Sequence, residues 1–384
     1  MRAASTAVPE TANTLQTQYI ASGRCNGIIL PEKRGTPMLY KGEWNREEVD
    51  YQALVNQWHV VALSEDLDAS KPKAVRLLGE DLVLWRDDSG GVHAWKDYCG
   101  HRGARLSLGC VKQGQIECPY HGWRYDRHGD CKLVPAHPGR AGPSSERLIF
   151  RHFAQERFGF IWASLEQPDR PLPDFAQWED SNYRKIFAGP YHYKANALRA
   201  LENFIDASHF PFVHANLNGL PDAPEPLKQY TVSLDERGLH SSEISVFQPY
   251  GDHRAIPVTA RYKYSVFNPT TAYFKKKTGE IERFCTFFNA TPVDEAECII
   301  WLIVAINFGP ELSLEQILSR QNIVFEQDRH IVEAQRPARL PLDPKAEMHV
   351  NSDRMGLEYR RWLKNLGEAS RHRSFTQLIR TVSQ

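Results

Sequence analysis

The chain has 384 residues, a length that accommodates two domains of ordinary size or one large domain. Hydrophobic residues make up 41% and charged residues 24%, as in soluble globular proteins, and the 47 basic residues balance the 47 acidic ones, so the charge indicates neither nucleic acid nor an anionic membrane as a partner. No apolar run approaches the roughly 18 residues of a membrane span, and the N-terminal segment lacks the apolar core of a secretory signal, so a cytoplasmic protein is expected.

Residues 1–49 show no sustained periodicity and are predicted to form a loosely ordered arm that docks through "YIASGRCNGIIL". Residues 50–166 contain short β-rich runs separated by Gly and Asp turns, such as "AVRLLGEDLVLWRD" and "ERFGFIWASL". This pattern predicts a small antiparallel barrel or sandwich. It ends at "EQPDRPLPDF", whose three prolines are typical of a linker.

Residues 167–384 have a mixed pattern. A helix is predicted over 197–210, followed by four or more strands with hairpin turns, a long helix over 313–335 and a shorter one over 352–367. Strands framed by helices indicate an α+β second domain.

Seven cysteines, at positions 25, 99, 110, 118, 131, 285 and 298, are an odd number spread over a long chain. In a reducing compartment, clustered cysteines are more often metal ligands or redox groups than disulfides. Two short motifs stand out here, Cys99-x-His101 and Cys118-x-x-His121. Such a pair of hairpins suits a tetrahedral zinc or a [2Fe–2S] cluster with mixed ligands. One Cys and one His in each hairpin favours the cluster.

A second metal site is predicted from "ENFIDASHFPFVH". Asn203, Asp206 and His209 are spaced three apart and would share one helical face. His214 lies five positions after His209, and Pro211 between them would break the helix and allow His214 to return to the same point.

The third ligand is predicted on the long helix. Asp328 falls within an apolar stripe formed by Ile317, Val324, Ile331 and Gln335. A buried carboxylate is costly unless it is paired or binds a metal. Pairing with Arg320 or Arg336 is the alternative to metal binding. Two histidines and one carboxylate form the facial triad of non-haem Fe(II) sites.

The pattern "CGHRGA…CPYHGW" resembles the Rieske [2Fe–2S] motif. The extra cysteines of respiratory-chain Rieske proteins are replaced by Ala104 and Tyr120, so the resemblance is to the oxygenase and ferredoxin type. Cys110 and Cys131 fall outside the motif and are interpreted as ordinary thiols. Together with "ENFIDASHFPFVH" and a late aspartate, the chain resembles the Rieske non-haem iron oxygenases over about residues 50–370. The tail segments "QRPARLPL" and "YRRWLKNLG" look most similar to the saxitoxin-pathway alkaloid oxygenases, in the group of vanillate demethylase and pheophorbide a oxygenase.

This resemblance implies a Rieske domain followed by a helix-grip, START-like α+β catalytic domain with a curved antiparallel sheet. It also implies a head-to-tail homotrimer in which electrons pass from the cluster ligand His121 or His101 to His209 of the next subunit. Asp206 would form the bridge, and Asn203 would support that network.

The implied reaction is monooxygenation of a small organic substrate, either hydroxylation or N- or O-demethylation of an alkaloid or methylated aromatic, with O₂ as cosubstrate. No G-x-G-x-x-G fingerprint is visible, so NAD(P)H would act only indirectly, through a separate reductase or ferredoxin. Phe204, Phe210, Phe288 and Asn289 are predicted to line the substrate pocket, although plain core packing explains aromatic residues equally well. The alternative function is a non-catalytic Rieske electron-transfer protein with a ligand-binding domain.

Overall fold

The computed structural model describes Arg46, residues 48–139, Gly142, residues 149–254 and residues 256–382, with the backbone alone for 373–382. The predicted N-terminal arm therefore lies almost wholly outside the described residues, including Cys25 and its predicted docking segment.

Two antiparallel sheets occupy the first part of the chain. The larger has six strands in the order β1-β10-β9-β4-β3-β2. These are β1 (His59–Leu63), β2 (Lys73–Leu77), β3 (Glu80–Arg86), β4 (Val92–Lys96), β9 (Arg151–Arg157) and β10 (Phe160–Ser164). The smaller sheet contains, in spatial order, β5 (Cys110–Lys112), β6 (Gln115–Glu117), β7 (Arg124–Tyr125) and β8 (Cys131–Leu133). The predicted small antiparallel domain is confirmed.

An eight-stranded antiparallel sheet forms the second part. Its path is β11-β18-β17-β16-β15-β13-β12, with β14 also paired to β15. The strands are β11 (Arg184–Tyr193), β12 (Val232–Asp235), β13 (Gly238–Ser241), β14 (Ile244–Gln248), β15 (Val258–Asn268), β16 (Thr271–Lys277), β17 (Arg283–Pro292) and β18 (Cys298–Ile306).

Six α-helices complete the described fold: α1 (Val49–Leu54), α2 (Ala176–Glu179), α3 (Ala197–Phe204), α4 (Phe210–Val213), α5 (Leu314–Ala334) and α6 (Arg354–Val382). None of the helices in the described ranges is long and apolar enough to cross a membrane. The mixed α+β class predicted for this half is confirmed.

The two faces of the eight-stranded sheet pack against different partners because side chains alternate along a strand. On one face, Phe287 and Trp301 pack with Val60 and Trp162 of the first sheet. On the other, Phe288 of β17 packs with Phe325 of α5. A cavity is left between this second face and helices α3 and α5.

Helix α5 is set in place by a capping box, in which Ser313 accepts from the Gln316 amide and the Gln316 side chain accepts from the Ser313 amide. Its buried face differs in part from the predicted stripe. Ile317 and Asp328 are buried as expected, but Ile331 is 48% exposed. Gln321, Phe325 and Val332 are the other buried positions, because the face follows three- and four-residue steps from Ile317 through Asp328.

Candidate functional site

The two Cys/His hairpins meet at one end of the smaller sheet. Cys99 and Cys118 are both buried. The rings of His101 and His121 lie with centroids 4.6 Å apart, and the ring of His101 stacks on Trp123 at 4.4 Å. The four side chains predicted as cluster ligands are thus brought together, with His121 at the exposed edge.

Each hairpin holds its cysteine by the same pair of backbone hydrogen bonds. The amide of Cys99 donates to Ala104 at 2.8 Å and its carbonyl accepts from Gly103, while Cys118 makes the matching bonds with Trp123 and Gly122. Gly103 and Gly122 have φ of 71° and 67°, a conformation that only glycine adopts without cost.

The polar atoms here match the donor set of a [2Fe–2S] cluster. Hydrogen bonding with Cys118, reinforced by the Tyr125 hydroxyl 3.1 Å from its Sγ, lowers the pKa of Cys99 against the effect of burial, while the same bond together with burial raises the pKa of Cys118. Cys99 is therefore prepared to act as a thiolate ligand. The Nδ1 atom of His101 is buried and has no hydrogen-bond partner within the described chain. A buried nitrogen without a partner is costly unless it binds something the protein does not supply.

His209, His214 and Asp328 form the second cluster of ligands. Their candidate ligand atoms all lie within 4.8 Å of one another, and no other group of three or more His, Cys, Asp or Glu residues in the described ranges does so. The His214 and His209 Nε2 atoms lie 3.2 Å and 3.5 Å from Asp328 Oδ1, and 3.2 Å from each other.

The Nδ1 nitrogen of each imidazole is already hydrogen-bonded. The Nδ1 of His209 lies 3.2 Å from Asp206 Oδ2, and the Nδ1 of His214 lies 2.9 Å from Gln327 Oε1. A carboxylate and an amide oxygen only accept, so each Nδ1 carries the proton and donates. Both Nε2 atoms are then bare lone pairs facing one carboxylate, which is the donor set of a cation such as Fe(II).

The local backbone around these histidines differs from the prediction. The single helix expected over 197–210 ends at Phe204, so Asp206 and His209 do not share a helical face. Instead the Asp206 carboxylate accepts from the amide and hydroxyl of Ser208 at 2.7 Å and 2.6 Å, forming a tight turn. Pro211 falls in the first turn of α4, where proline is tolerated, so it does not break a helix as expected.

Two other expectations change with the structure. Asn203 lies 3.5 Å from Asp328 Oδ1 through its Nδ2, so its side chain supports the carboxylate ligand rather than Asp206. The arginines considered as partners of Asp328 bond elsewhere. Arg320 donates to Asn218 and to the Tyr250 carbonyl, and Arg336 donates to backbone carbonyls of its own segment.

Burial and pairing act in opposite directions on the Asp206–His209 pair. Burial would raise the pKa of Asp206, but the hydrogen bond from His209 and those from Ser208 outweigh it, and the pKa is lowered. For His209 burial would lower the pKa, and Asp206 and Asp328 raise it. The lowered pKa of Asp206 favours a charged carboxylate, which holds the ring of His209 in one orientation.

The cavity beside these ligands encloses about 630 Å³ not filled by atoms, part of it open to solvent. Phe204 and Phe210 lie in its wall with His209, His214 and Asp328. Phe288 and Asn289, predicted to line it, do not. Phe288 stacks behind Phe204 at 4.3 Å. Asn289 lies on the opposite face of the sheet, where it accepts from the Val60 amide and donates to Thr271.

Sequence reasoning missed several polar residues here. Gln327 orients His214, and the signal that would have found it is only its position beside Asp328 in a helix. It also missed Tyr125, Tyr264 and Lys276, and it considered Arg320 only as a partner of Asp328. Lys276 sits within the run "KKK", which is typical of an exposed strand, and only the alternation of side chains directs it inward.

Both parts of the chain are similar to known proteins. Residues 57–148 match the Rieske [2Fe-2S] domain, and residues 193–369 match the vanillate O-demethylase oxygenase C-terminal domain. Methylxanthine N1-demethylase NdmA of Pseudomonas putida is 31% identical over 350 residues, covering 86% of this chain and 96% of that protein. The structure of NdmA of Pseudomonas putida CBB5 with caffeine superimposes with a TM-score of 0.71 at 29% identity, covering 85% of this chain and 94% of the other. Oxidoreductase NdmD of Pseudomonas putida is 44% identical over 115 residues, which covers 30% of this chain and 19% of that protein.

Proposed function

Because this chain belongs to the Rieske non-haem iron oxygenases, we propose that it oxidises a small organic molecule bound in the cavity beside His209, His214 and Asp328. It is a Rieske-type iron-dependent monooxygenase, an oxidoreductase that uses O₂ and externally supplied electrons. The position of the reaction site is supported by the three ligand side chains, which lie close together in the wall of a cavity rich in aromatic residues.

In this proposal Cys99 and Cys118 hold one iron of the [2Fe–2S] cluster, and His101 and His121 hold the other. His209, His214 and Asp328 hold the mononuclear Fe(II). When bound, the cluster provides single electrons and the mononuclear iron with O₂ provides insertion of one oxygen atom into a C–H bond, which at an N- or O-methyl group yields a dealkylated product and formaldehyde.

The protein's own side chains keep this site in one arrangement. Asp206 and Gln327 each accept a hydrogen bond from the Nδ1–H group of one histidine, which leaves the two Nε2 lone pairs directed at the same point. Asn203 restrains the carboxylate of Asp328. Phe204 and Phe210 form an apolar wall that excludes water from the reacting methyl group.

Demethylation of a methylated aromatic or alkaloid is the reaction we infer. It is supported by the similarity to a methylxanthine N1-demethylase over most of both chains, and by the match of residues 193–369 to the vanillate O-demethylase C-terminal domain. The narrower similarity to the saxitoxin-pathway oxygenases and the cytoplasmic location remain predictions from the sequence.

Electrons are proposed to reach the cluster from a separate reductase. The 115-residue similarity to oxidoreductase NdmD supports this, since it shows sequence that this chain shares with a redox protein. We further propose a homotrimer in which Asp206 connects His209 to the cluster of the next subunit. Its side chain is 34% exposed and His121 is exposed, so both are open to contact by a second copy.

The test is turnover by anaerobically purified, iron-loaded protein supplied with O₂ and a surrogate reductase with NADH. Candidate N-methyl xanthines and methoxylated aromatics are incubated, and mass spectrometry follows loss of a methyl group or gain of one oxygen. The expected result is a product with an equimolar amount of formaldehyde. A fully loaded, reducible protein that oxidises none of these compounds would instead favour the non-catalytic electron-transfer alternative.

A further inference from the structure

The cavity wall opposite helix α5 is built from two rows of directly paired residues on β15, β16 and β17. One row is Tyr264, Phe274 and Thr286, and the next is Tyr262, Lys276 and Phe284. Four of these six side chains are aromatic and Thr286 is small, a lining that suits a flat aromatic molecule. The exception is Lys276, an ammonium group in a position where an apolar residue would pack.

Lys276 is only 5% exposed. Its Nζ donates to the Gly251 carbonyl and lies 5.4 Å from the Tyr262 ring centroid and 5.7 Å from that of Phe284. An ammonium group has three N–H donors, and no carboxylate in the described part of the chain lies within salt-bridge distance of it. Taking a charge out of water without a counter-ion is costly. The position therefore calls for an anion that the protein does not provide.

Arg320 adds a second cation at the same end of the cavity. One of its terminal nitrogens donates to Asn218 and the Tyr250 carbonyl, and none of the described carboxylates forms an ion pair with it. The nearby carboxylate of Asp252 is paired with another residue. It is held by the guanidinium of Arg254 through Nε and Nη2, the Nε contacts being 3.1 Å, while Arg254 also binds Glu282 at 2.9 Å.

The cationic end lies away from the metal ligands. Arg320 and Asp328 are eight positions apart on one helix, which corresponds to about 12 Å along its axis. Tyr264 lines the cavity, and its hydroxyl is buried without a hydrogen-bond partner among the described residues. This orphaned hydroxyl lies near Asp206 and Asp328, so it indicates that the ligand also carries a polar atom close to the metal ligands.

Resting on the proposed function, we propose that Lys276 and Arg320 form an anion-binding subsite. The substrate is then an aromatic or heteroaromatic compound with an anionic group at this end and its methyl ether or methylamine at the His209, His214 and Asp328 end. The anionic group of the substrate forms ion pairs with Lys276 and Arg320, and the two rows of aromatic side chains pack against its ring. This subsite selects charged aromatic acids over neutral compounds of the same shape, because a neutral group leaves both cations unpaired.

The experiment measures equilibrium binding by calorimetry to the iron-loaded protein without O₂. Its probes are para-methoxybenzoate and para-methoxybenzamide, methoxynaphthoate and its amide, and caffeine, which carries no charge. Wild type is expected to bind at least one acid about tenfold or more tightly than its matching amide or caffeine. In Lys276→Met and in Arg320→Gln that preference falls at least fivefold.

Lys275→Met is the matched control, because Lys275 is the preceding residue of the same strand and does not line the cavity. It should keep the wild-type preference, and thermal unfolding checks that all variants are folded. Equal binding of acids and amides by wild type, or a preference that survives both substitutions, would overturn the anion subsite. Because binding is measured without turnover, that result is distinct from a failure of the proposed reaction.

Discussion

The Nε2 atoms of His209 and His214 lie 3.2 Å apart, although neither has a proton to share with the other. Their Nδ1 protons are donated in hydrogen bonds to Asp206 and Gln327. Two facing lone pairs repel each other, and they are brought this close only where a cation between them and Asp328 offsets the repulsion.

Removing one of these ligands should remove the mononuclear iron alone. His214→Ala and Asp328→Ala are each expected to lose that iron, because two remaining protein ligands are too few to hold it, while the cluster stays intact. Metal analysis and the electron paramagnetic resonance signal of the reduced cluster measure the two sites separately. His240→Ala is the control, since His240 also contacts an aspartate, Asp235 at 3.0 Å, but lies away from the cavity. Full iron content in both ligand variants would contradict the assignment.

The proposed electron transfer between subunits predicts complementation. A chain with His121→Ala lacks a working cluster, and a chain with His209→Ala lacks a working iron site. Each alone should be inactive, and co-expressed mixed assemblies should regain measurable turnover because each variant retains the site that the other lacks. Mixed assemblies that stay inactive would indicate that transfer occurs within one chain.

Asp206→Asn tests the bridge itself. An amide whose oxygen stays with the two Ser208 donors turns its NH₂ group toward His209 Nδ1, so it neither accepts from His209 nor carries a charge. Because the ligand atom of His209 is Nε2, both metals should remain bound. Turnover should fall roughly 10–100-fold, the range seen when a partner of a metal-bound histidine is lost. Steady-state rates at saturating substrate, with iron content measured in parallel, separate this from loss of metal. Wild-type turnover in the variant would show that Asp206 has no role in transfer.

The affinity for anionic ligands should depend on pH through Lys276, whose pKa burial lowers to about 7, with Arg320 adding to the effect. The ammonium is present below pH 7 and is lost as the pH rises, so acid binding should weaken by roughly fivefold or more between pH 6 and pH 8.5. The facing groups do not titrate there. Arg254 and Arg320 stay charged, Glu282 and Asp252 have lowered pKa values, the pKa of Tyr262 is raised, and that of His253 is lowered to about 4.

Calorimetric titrations of para-methoxybenzoate across this range measure the pH effect. The matching amide should show no such dependence, and Lys276→Met should abolish it for the acid. An acid affinity that stays constant from pH 6 to pH 8.5 in wild type would exclude Lys276 as the binding group.

Helix α3 depends on a buried ion-pair network with α6. Arg199 and Arg360, with 2% and 3% of their side chains exposed, share Glu202 and Glu347. Glu347→Gln leaves two buried guanidinium groups undercompensated and should lower the free energy of unfolding by roughly 3 kcal/mol. Glu358→Gln, which breaks an exposed pair with Arg361, should cost at most about 1 kcal/mol. Denaturant unfolding of both variants checks this, and equal effects would contradict it.

Much of the cluster region was predictable because it is local. The four ligands come from two short hairpins, and the glycines that shape them are adjacent to the ligands in sequence. The antiparallel sheets and the α+β class likewise follow from alternating runs and turn residues. The helix over 197–210 was predicted less well, because its periodicity continues past Phe204 while the Ser208 donors to Asp206 favour a turn.

The candidate metal ligands were predictable from the sequence alone, since the spacing of Cys and His in a hairpin, and of histidines around a proline, depends on a few neighbouring residues. Which groups meet across long separations depends on the tertiary structure. It brought Gln327 to His214, directed Lys276 rather than Lys275 into the cavity, and turned Asn289 away from it. Those outcomes depend on strand register, where a shift of one residue exchanges the two faces of a sheet, and no local pattern specifies that register.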